Sequence, residues 1–191
     1  MSEDEERGRV GSTKWQTLSS RTAYENHWIR VREDAVLRPD GEPGVYGVVE
    51  VRSPAVFVVP VTDAGDFVLV EVDRYAIGRR SWEVPAGGSD GDALAEAARR
   101  ELREETGLAA SRWRDLGQVF SLNGVADAPG RVFLAQGLSE VGGAEADVEG
   151  ITGLRTASGA QLAAMIGRDE ITDNESLGAL LKALVALGAV G

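Results

Sequence analysis

Residues 55–72 constrain the fold more than any other stretch of the chain. Ala55-Val56-Phe57-Val58-Val59-Pro60-Val61 is apolar without a break. After Thr62-Asp63-Ala64-Gly65-Asp66, the run Phe67-Val68-Leu69-Val70-Glu71-Val72 is nearly so. A strand with one wet face alternates apolar and polar residues, whereas an unbroken run of this length belongs to a strand covered on both faces. The turn residues between the runs make them a hairpin. The chain must therefore build layers around a central sheet that holds this hairpin in its core.

The flanking sequence supplies the rest of that plan. The segment 1–20 begins MSEDEERGRVGS, polar and without an apolar core, and reads as a disordered acidic tail. Residues 21–52 alternate in the β manner around Trp28-Ile29-Arg30-Val31-Arg32, turn at Pro39-Asp40-Gly41 and continue through Val45–Val51. That makes a small N-terminal antiparallel β unit, too slight to fold alone. The main domain takes 53–191. Its best helix runs from Asp92 to Glu105, with Asp92 as N-cap and Gly107 beyond its end. Strands are expected near Leu116–Ser121, Val132–Gln136 and Gly153–Thr156, and a helix near Ser158–Ile166. A last helix begins at a capping box, Thr172-x-x-Glu175, and places Leu177, Leu180, Leu181 and Leu184 on one face.

Composition narrows the chemistry. The chain has no cysteine and one histidine, His27, so thiolate nucleophiles, zinc ribbons and iron–sulfur clusters are excluded. With 31 acidic against 20 basic residues the net charge is −11, which argues against broad binding to nucleic acid or to an anionic membrane. The most apolar stretch, Leu177–Val190, is shorter than the roughly 20 residues of a span and contains Lys182. A cytoplasmic protein is expected. Catalysis in such a chain rests on carboxylates.

Those carboxylates gather at Ala97-Ala98-Arg99-Arg100-Glu101-Leu102-Arg103-Glu104-Glu105-Thr106-Gly107-Leu108. Residues three and four apart share a helix face, so Glu101, Glu104 and Glu105 converge beside an apolar stripe of Leu94, Ala98 and Leu102. Like charges at that spacing destabilise a helix, and the last turn already disfavours anions. The group calls for a cation. Hard oxygen donors at this density suit Mg²⁺ or Mn²⁺.

The same segment resembles the Nudix box, G-x5-E-x7-R-E-U-x-E-E-x-G-U with U aliphatic. Arg100, Glu101, Leu102, Glu104, Glu105, Gly107 and Leu108 fill every specified position of its second half. In the first half, Asp92 stands for the consensus Glu and Ala86 for the consensus Gly, with glycine one place later at Gly87. The loop is thus one residue short. Ser81-Trp82-Glu83-Val84-Pro85-Ala86-Gly87 is similar to the lead-in of ADP-ribose pyrophosphatases, and Val70–Tyr75 to their preceding strand, where that group keeps an arginine.

The resemblance implies an α/β fold, a Nudix-type α/β/α sandwich around a mixed β-sheet with the small N-terminal antiparallel unit attached. It also implies Mg²⁺-dependent hydrolysis of the pyrophosphate bond of ADP-ribose or a related nucleoside diphosphate sugar, with Mn²⁺ as an alternative metal. Carried over, Glu101 and Glu105 are metal ligands, with Glu104 close by and the Ala86 carbonyl as a further donor. Arg100 would pair with these acids or with Glu83. Glu149, in the acidic segment Glu145–Ile151, is the implied base, with Asp147 and Glu145 behind it and Glu104 a further catalytic candidate; an exposed acidic turn is the other reading of Glu149. Arg74 and Glu83 are candidates for the substrate pocket or else an ordinary strand-end ion pair. Asp127 is a candidate substrate contact. Trp28 would stack on a base, or simply pack the N-terminal sheet, which in the resembled group is exchanged between the subunits of a homodimer.

One departure weakens the substrate assignment. Ser121-Leu122-Asn123-Gly124-Val125-Ala126-Asp127-Ala128 lacks the proline that the ADP-ribose group carries there, and has Ala128 where an acid is expected. Hydrolysis of another diphosphate, such as GDP-mannose, NADH or a dinucleoside polyphosphate, is the first alternative. A nucleotide-binding module without catalysis is the second.

Overall fold

In the computed structural model the described residues are 13–144 and 150–189. The chain divides into two compact units, Met1–Arg52 and Ser53–Gly191.

The first unit carries β1 (Gln16–Glu25), β2 (Ile29–Leu37) and β3 (Pro43–Val51), paired antiparallel in that order. β1 begins at Gln16, inside the stretch that composition assigns to the tail, and all of it is exposed. The turn after β2 closes with Gly41 at φ +86°, its N–H donating to the Arg38 carbonyl at 2.8 Å. That conformation favours the residue without a Cβ.

The second unit contains β4 (Ala55–Val61), β5 (Phe67–Arg74), β6 (Arg79–Glu83), β7 (Ala86–Gly88), α1 (Leu94–Thr106), β8 (Leu108–Phe120), β9 (Ala126–Asp127), β10 (Pro129–Glu140), β11 (Ile151–Ala157), α2 (Gly159–Gly167) and α3 (Asn174–Ala186). Its mixed sheet has the order β11-β5-β4-β10-β8, with β10 parallel to β4 and the other pairs antiparallel. The unbroken run at β4 is covered on both faces, as its pattern requires. Val56 and Val58 join Phe133 and Ala135 of β10 under α1 residues Ala97, Ala98 and Leu102. Phe57, Val59 and Val61 face the other way, with Val132 and Leu134, against Leu162 and Met165 of α2 and Ala179, Leu180 and Ala183 of α3. Alternation along two neighbouring strands thus makes an α/β/α sandwich.

The hairpin β4–β5 is closed only at its base, where Val61 pairs with Phe67. Beyond that rung the strands part. β6 pairs with β5 as far as Glu83, opposite Val70, and β7 pairs with β4 from Ala86, opposite Phe57. Pro85 sits between the two ladders, where a residue with no N–H loses nothing, and its carbonyl accepts Val58 N–H at 2.8 Å. The chain therefore crosses the opening of the sheet at Glu83–Ala86. The acidic site described next is built on that crossing and on α1.

Three boundaries differ from the sequence reading. The N-cap of α1 is Ala93, with no side-chain cap, because Asp92 instead points its carboxylate at Arg100, 3.6 Å away. The cap of α3 is Asp173, not Thr172; its carboxylate accepts Ser176 N–H at 2.7 Å. A capping box does occur, at Ser158 and Gln161 of α2. Strand β8 starts at Leu108, eight residues before its apolar signal, and bulges at Leu116–Gly117 against Val132–Phe133. Gly117 there has φ +94°, and Lys182 from α3 donates to the Leu116 carbonyl at 3.0 Å. Among the described residues no helix is long and apolar enough to cross a membrane.

Candidate active site

The acidic helix turns two of its four glutamates inward. Ala97, Ala98, Glu101, Leu102, Glu105 and Thr106 form the buried stripe of α1, and Glu101 and Glu105 are only 4% and 7% exposed. A carboxylate removed from water is costly unless hydrogen bonds or opposite charge replace the solvent. Both have replacements. Glu105 Oε2 accepts the Ala86 N–H at 3.1 Å, which ties the end of α1 to the start of β7. Glu101 Oε1 lies 2.8 Å from the Arg100 guanidinium.

Glu101 also lies flat against the backbone at Gly87. A Cβ placed on Gly87 would stand 2.5 Å from Glu101 Oε2 and nearer still to the rest of the carboxylate. The glycine is needed for close approach, not for an unusual φ. This accounts for the shifted glycine of the box: position 87 is where a side chain would displace the Glu101 carboxylate.

Arg100 binds the arrangement together. Besides Glu101 it reaches Glu104 at 3.2 Å and the Gly88 carbonyl at 2.7 Å, with Asp92 and Asp90 at 3.6 and 3.9 Å. Burial works against its charge, and the fields of Glu101, Glu104 and Asp90 more than offset this, so its pKa lies above the ordinary arginine value. The helix terminus closes with Gly107 at φ +70°, its N–H on the Arg103 carbonyl at 2.8 Å.

A second ion pair flanks the crossing. Arg74 at the end of β5 grips Glu83 through Nη2 at 2.7 Å and Nε at 3.1 Å, and Glu83 is 4% exposed. Hydrogen bonding to Glu83 holds the Arg74 pKa above its ordinary value against the opposing effect of burial, with smaller help from the charges of Glu83, Asp173 and Glu105. Glu83 is three residues before Ala86, whose N–H holds Glu105, so the strand-end pair and the helix acids share the same short crossing. Of the two partners considered for Glu83, the structure chooses Arg74 and leaves Arg100 to the box.

The remaining candidates lie elsewhere. Asp127 is exposed on β9. Trp28 belongs to the N-terminal unit, where it is exposed with its ring edge-on to His27 at 5.5 Å. Glu149, with Glu145 and Asp147, lies outside the described residues.

The donor chemistry suits a hard divalent cation: the Glu105 and Glu101 carboxylates lie against the backbone of Ala86 and Gly87, and Glu104 is linked to Glu101 through Arg100. Glu101 and Glu104 already gather a cation, the guanidinium of Arg100. As they stand, no three acidic or histidine side chains among the described residues are grouped as ion ligands.

Residues 51–148 match the NUDIX domain family, and residues 15–49 match the nucleoside diphosphate sugar hydrolase N-terminal domain. The chain belongs to the Nudix family. The ADP-ribose pyrophosphatase of Mycobacterium tuberculosis is 41% identical to this Nudix chain over 137 residues, which is 71% of the chain and 66% of that relative. The ADP-ribose pyrophosphatase of Bacillus subtilis is 31% identical over 129 residues, 67% of the chain and 69% of that relative. The matched stretch thus spans about two thirds of these relatives' lengths. Among solved structures, an ADP compounds hydrolase superposes with a TM-score of 0.81 over 94% of this chain and 99% of its own. At 20% identity that likeness concerns the fold.

Sequence reasoning did not find the roles of Gly87, Asp173 and Ser176. The displaced glycine of the box was the available signal for Gly87. A serine three places into a helix carries none.

Proposed function

We propose that this Nudix protein hydrolyses the pyrophosphate bond of ADP-ribose or a closely related nucleoside diphosphate sugar, releasing a nucleoside monophosphate and a sugar phosphate. The observation that carries the reading is the buried pair Glu101 and Glu105 on one face of α1, seated on Gly87 and held by Ala86 N–H. Two buried carboxylates fixed against backbone are expensive for a fold that does not use them. The two ADP-ribose pyrophosphatases among the relatives, and the match of the N-terminal unit to a nucleoside diphosphate sugar hydrolase domain, support the substrate class.

In this reading Glu101, Glu105 and Glu104, with the Ala86 carbonyl, would hold Mg²⁺ or Mn²⁺. The metal supplies neutralisation of the diphosphate charge, which an acidic protein cannot otherwise provide. The protein's own share is placement. Arg100 fixes the loop before α1 to the helix acids, and Arg74 with Glu83 lines the approach beside them. Glu149 is proposed as the base for the attacking water on sequence grounds, with Glu104 assisting. Asp127 and Trp28 are proposed substrate contacts on the same grounds. A cytoplasmic homodimer completes the proposal, with no nucleic-acid or membrane partner.

Incubation with ADP-ribose and Mg²⁺ is expected to yield AMP and ribose 5-phosphate, and chelation to stop it. Glu105→Gln is expected to lose about a hundredfold or more in kcat. Undiminished turnover in that variant would refute the metal assignment. The altered segment Ser121–Ala128 favours a second reading, in which the diphosphate carries a different group. A panel of nucleoside diphosphate compounds ranked by kcat/KM separates the two.

A further inference from the structure

The crossing at Glu83–Ala86 is held from a direction that the Nudix box does not supply. One edge of β6 is bonded to β5. Its other edge and the residue after it meet the approach to α3 and that helix's first turn: Trp82 N–H donates to the Glu170 carbonyl at 3.0 Å, and Val84 N–H donates to the Ser176 hydroxyl at 3.1 Å. Ser176 is 92 residues distant in sequence and 1% exposed. Its hydroxyl takes the place that a neighbouring strand's carbonyl would have. Its backbone is fixed in turn, because its own N–H is bonded to the Asp173 cap at 2.7 Å.

What flanks Val84 gives this contact its consequence. On one side is Glu83, gripped by Arg74. On the other are Pro85, which accepts Val58 N–H, and Ala86, whose N–H holds Glu105. The Val84 amide is buried, and a buried N–H must find an acceptor. Without the hydroxyl, the bend would have to shift to find one, and Ala86 would move with it.

We propose that Ser176 is a positioning residue for the acidic site: its hydroxyl sets the place of the Glu83–Ala86 bend and, through Ala86 N–H, the place of the Glu105 carboxylate. The inference deepens the function proposed above and rests on it where Glu105 is taken as a metal ligand. The geometry of the bend is independent of it.

The test compares Ser176→Ala, and Ser176→Cys, which is slightly larger and a weaker acceptor, with Leu177→Ala. Leu177 is half-buried against the core from the same helix, so its truncation loosens α3 while leaving the Ser176 hydroxyl in place for the Val84 N–H. In both Ser176 variants the Ala86 amide is expected to exchange at least tenfold faster by NMR, the Kd for Mn²⁺ to rise at least fivefold and kcat to fall at least tenfold. KM is expected to stay within twofold. Leu177→Ala is expected to lower Tm while leaving Mn²⁺ affinity and kcat near wild type. A lowered Tm with wild-type Ala86 exchange in the Ser176 variants would overturn the proposal. Faster exchange in a protein whose wild type hydrolyses no nucleoside diphosphate would support the positioning role and count against the proposed function alone.

Discussion

Substitution of Gly87 by alanine isolates the seat of Glu101. The backbone at Gly87 is not left-handed, so alanine is accommodated there without torsional strain. The added Cβ meets the Glu101 carboxylate, with Oε2 at 2.5 Å. Carbon and oxygen are comfortable at about 3.5 Å, so the carboxylate must withdraw by about 1 Å. The tip of a glutamate side chain can make that move at modest cost, and the destabilisation belongs at the low end for overpacking, about 1 kcal/mol, or roughly 2–4 °C in Tm. Function should suffer far more. A displacement of about 1 Å in a catalytic arrangement can cost about a hundredfold in rate. Gly87→Ala is therefore expected to fold, to lose about a hundredfold in kcat for AMP release from ADP-ribose, and to match Glu101→Gln in that assay. Gly47→Ala serves as the control, since a Cβ at Gly47 meets nothing within 4 Å. A folded Gly87→Ala protein with kcat within threefold of wild type would refute the reasoning, because Glu101 would then not depend on its seat.

Three further perturbations test the supports around the site. Arg74→Ala leaves the buried Glu83 without its two-point partner; because Arg74 is half-exposed the cost is expected at about 1–2 kcal/mol by urea unfolding, and Arg74→Lys should recover only part of it, lacking the fork. Glu175 has its pKa raised by burial and then by its hydrogen bond with Asp173, with Ser121 opposing. A raised carboxyl pKa contributes stability that is fully present below the unfolded value and lost as pH rises through the folded one. Glu175→Gln is therefore expected to flatten the fall in Tm above pH 4.5, and a wild-type slope in that variant would contradict the shift. Gly178, within α3, has open space where a Cβ would go, so Gly178→Ala should stabilise by about 0.5–1 kcal/mol without changing kcat.

The parts of the molecule that were legible in the sequence are those where burial writes a pattern. The apolar run at β4 announces two covered faces, and Val56 and Phe57 do enter opposite cores. The acids of α1 could be assigned to one face from their spacing alone, and Glu101 and Glu105 share it. Where solvent covers an element, that pattern vanishes. β1 carries exposed, mostly polar residues. The first half of β8 is only partly covered, with exposed Ser111, Arg112 and Arg114 breaking up Leu108, Ala110 and Trp113. The strand character of both comes largely from ladder hydrogen bonds that no side chain reports. The caps shifted by a residue for different reasons: Asp92 was drawn to Arg100, which leaves Ala93 without a side-chain cap, and Asp173, not Thr172, accepts the Ser176 N–H. Contacts such as Val84 to Ser176 are set by the tertiary fold, and local propensity is silent on them.

The short loop before α1 illustrates how the site tolerates variation. The contacts that build the acidic cluster fall on two sides of it: Ala86, Gly87 and Gly88 before, and Arg100, Glu101 and Glu105 after. Between them the chain need only return. Asp90 at φ +50° and Gly91 at φ +94° make that return tight. Ser53 anchors it by accepting Asp90 N–H at 2.7 Å and meeting the Ser89 hydroxyl at 3.1 Å, while the Pro54 carbonyl accepts Ser89 N–H at 2.9 Å. These anchors come from the residues immediately before β4, the strand to which β7 is bonded. A deletion here is absorbed by the turn, because β4 and α1 hold the two sides of the loop in place whatever the length of chain between them. The spacing within α1 has no such freedom: moving Glu105 by one residue would rotate it about 100° off the buried face and away from Ala86 N–H.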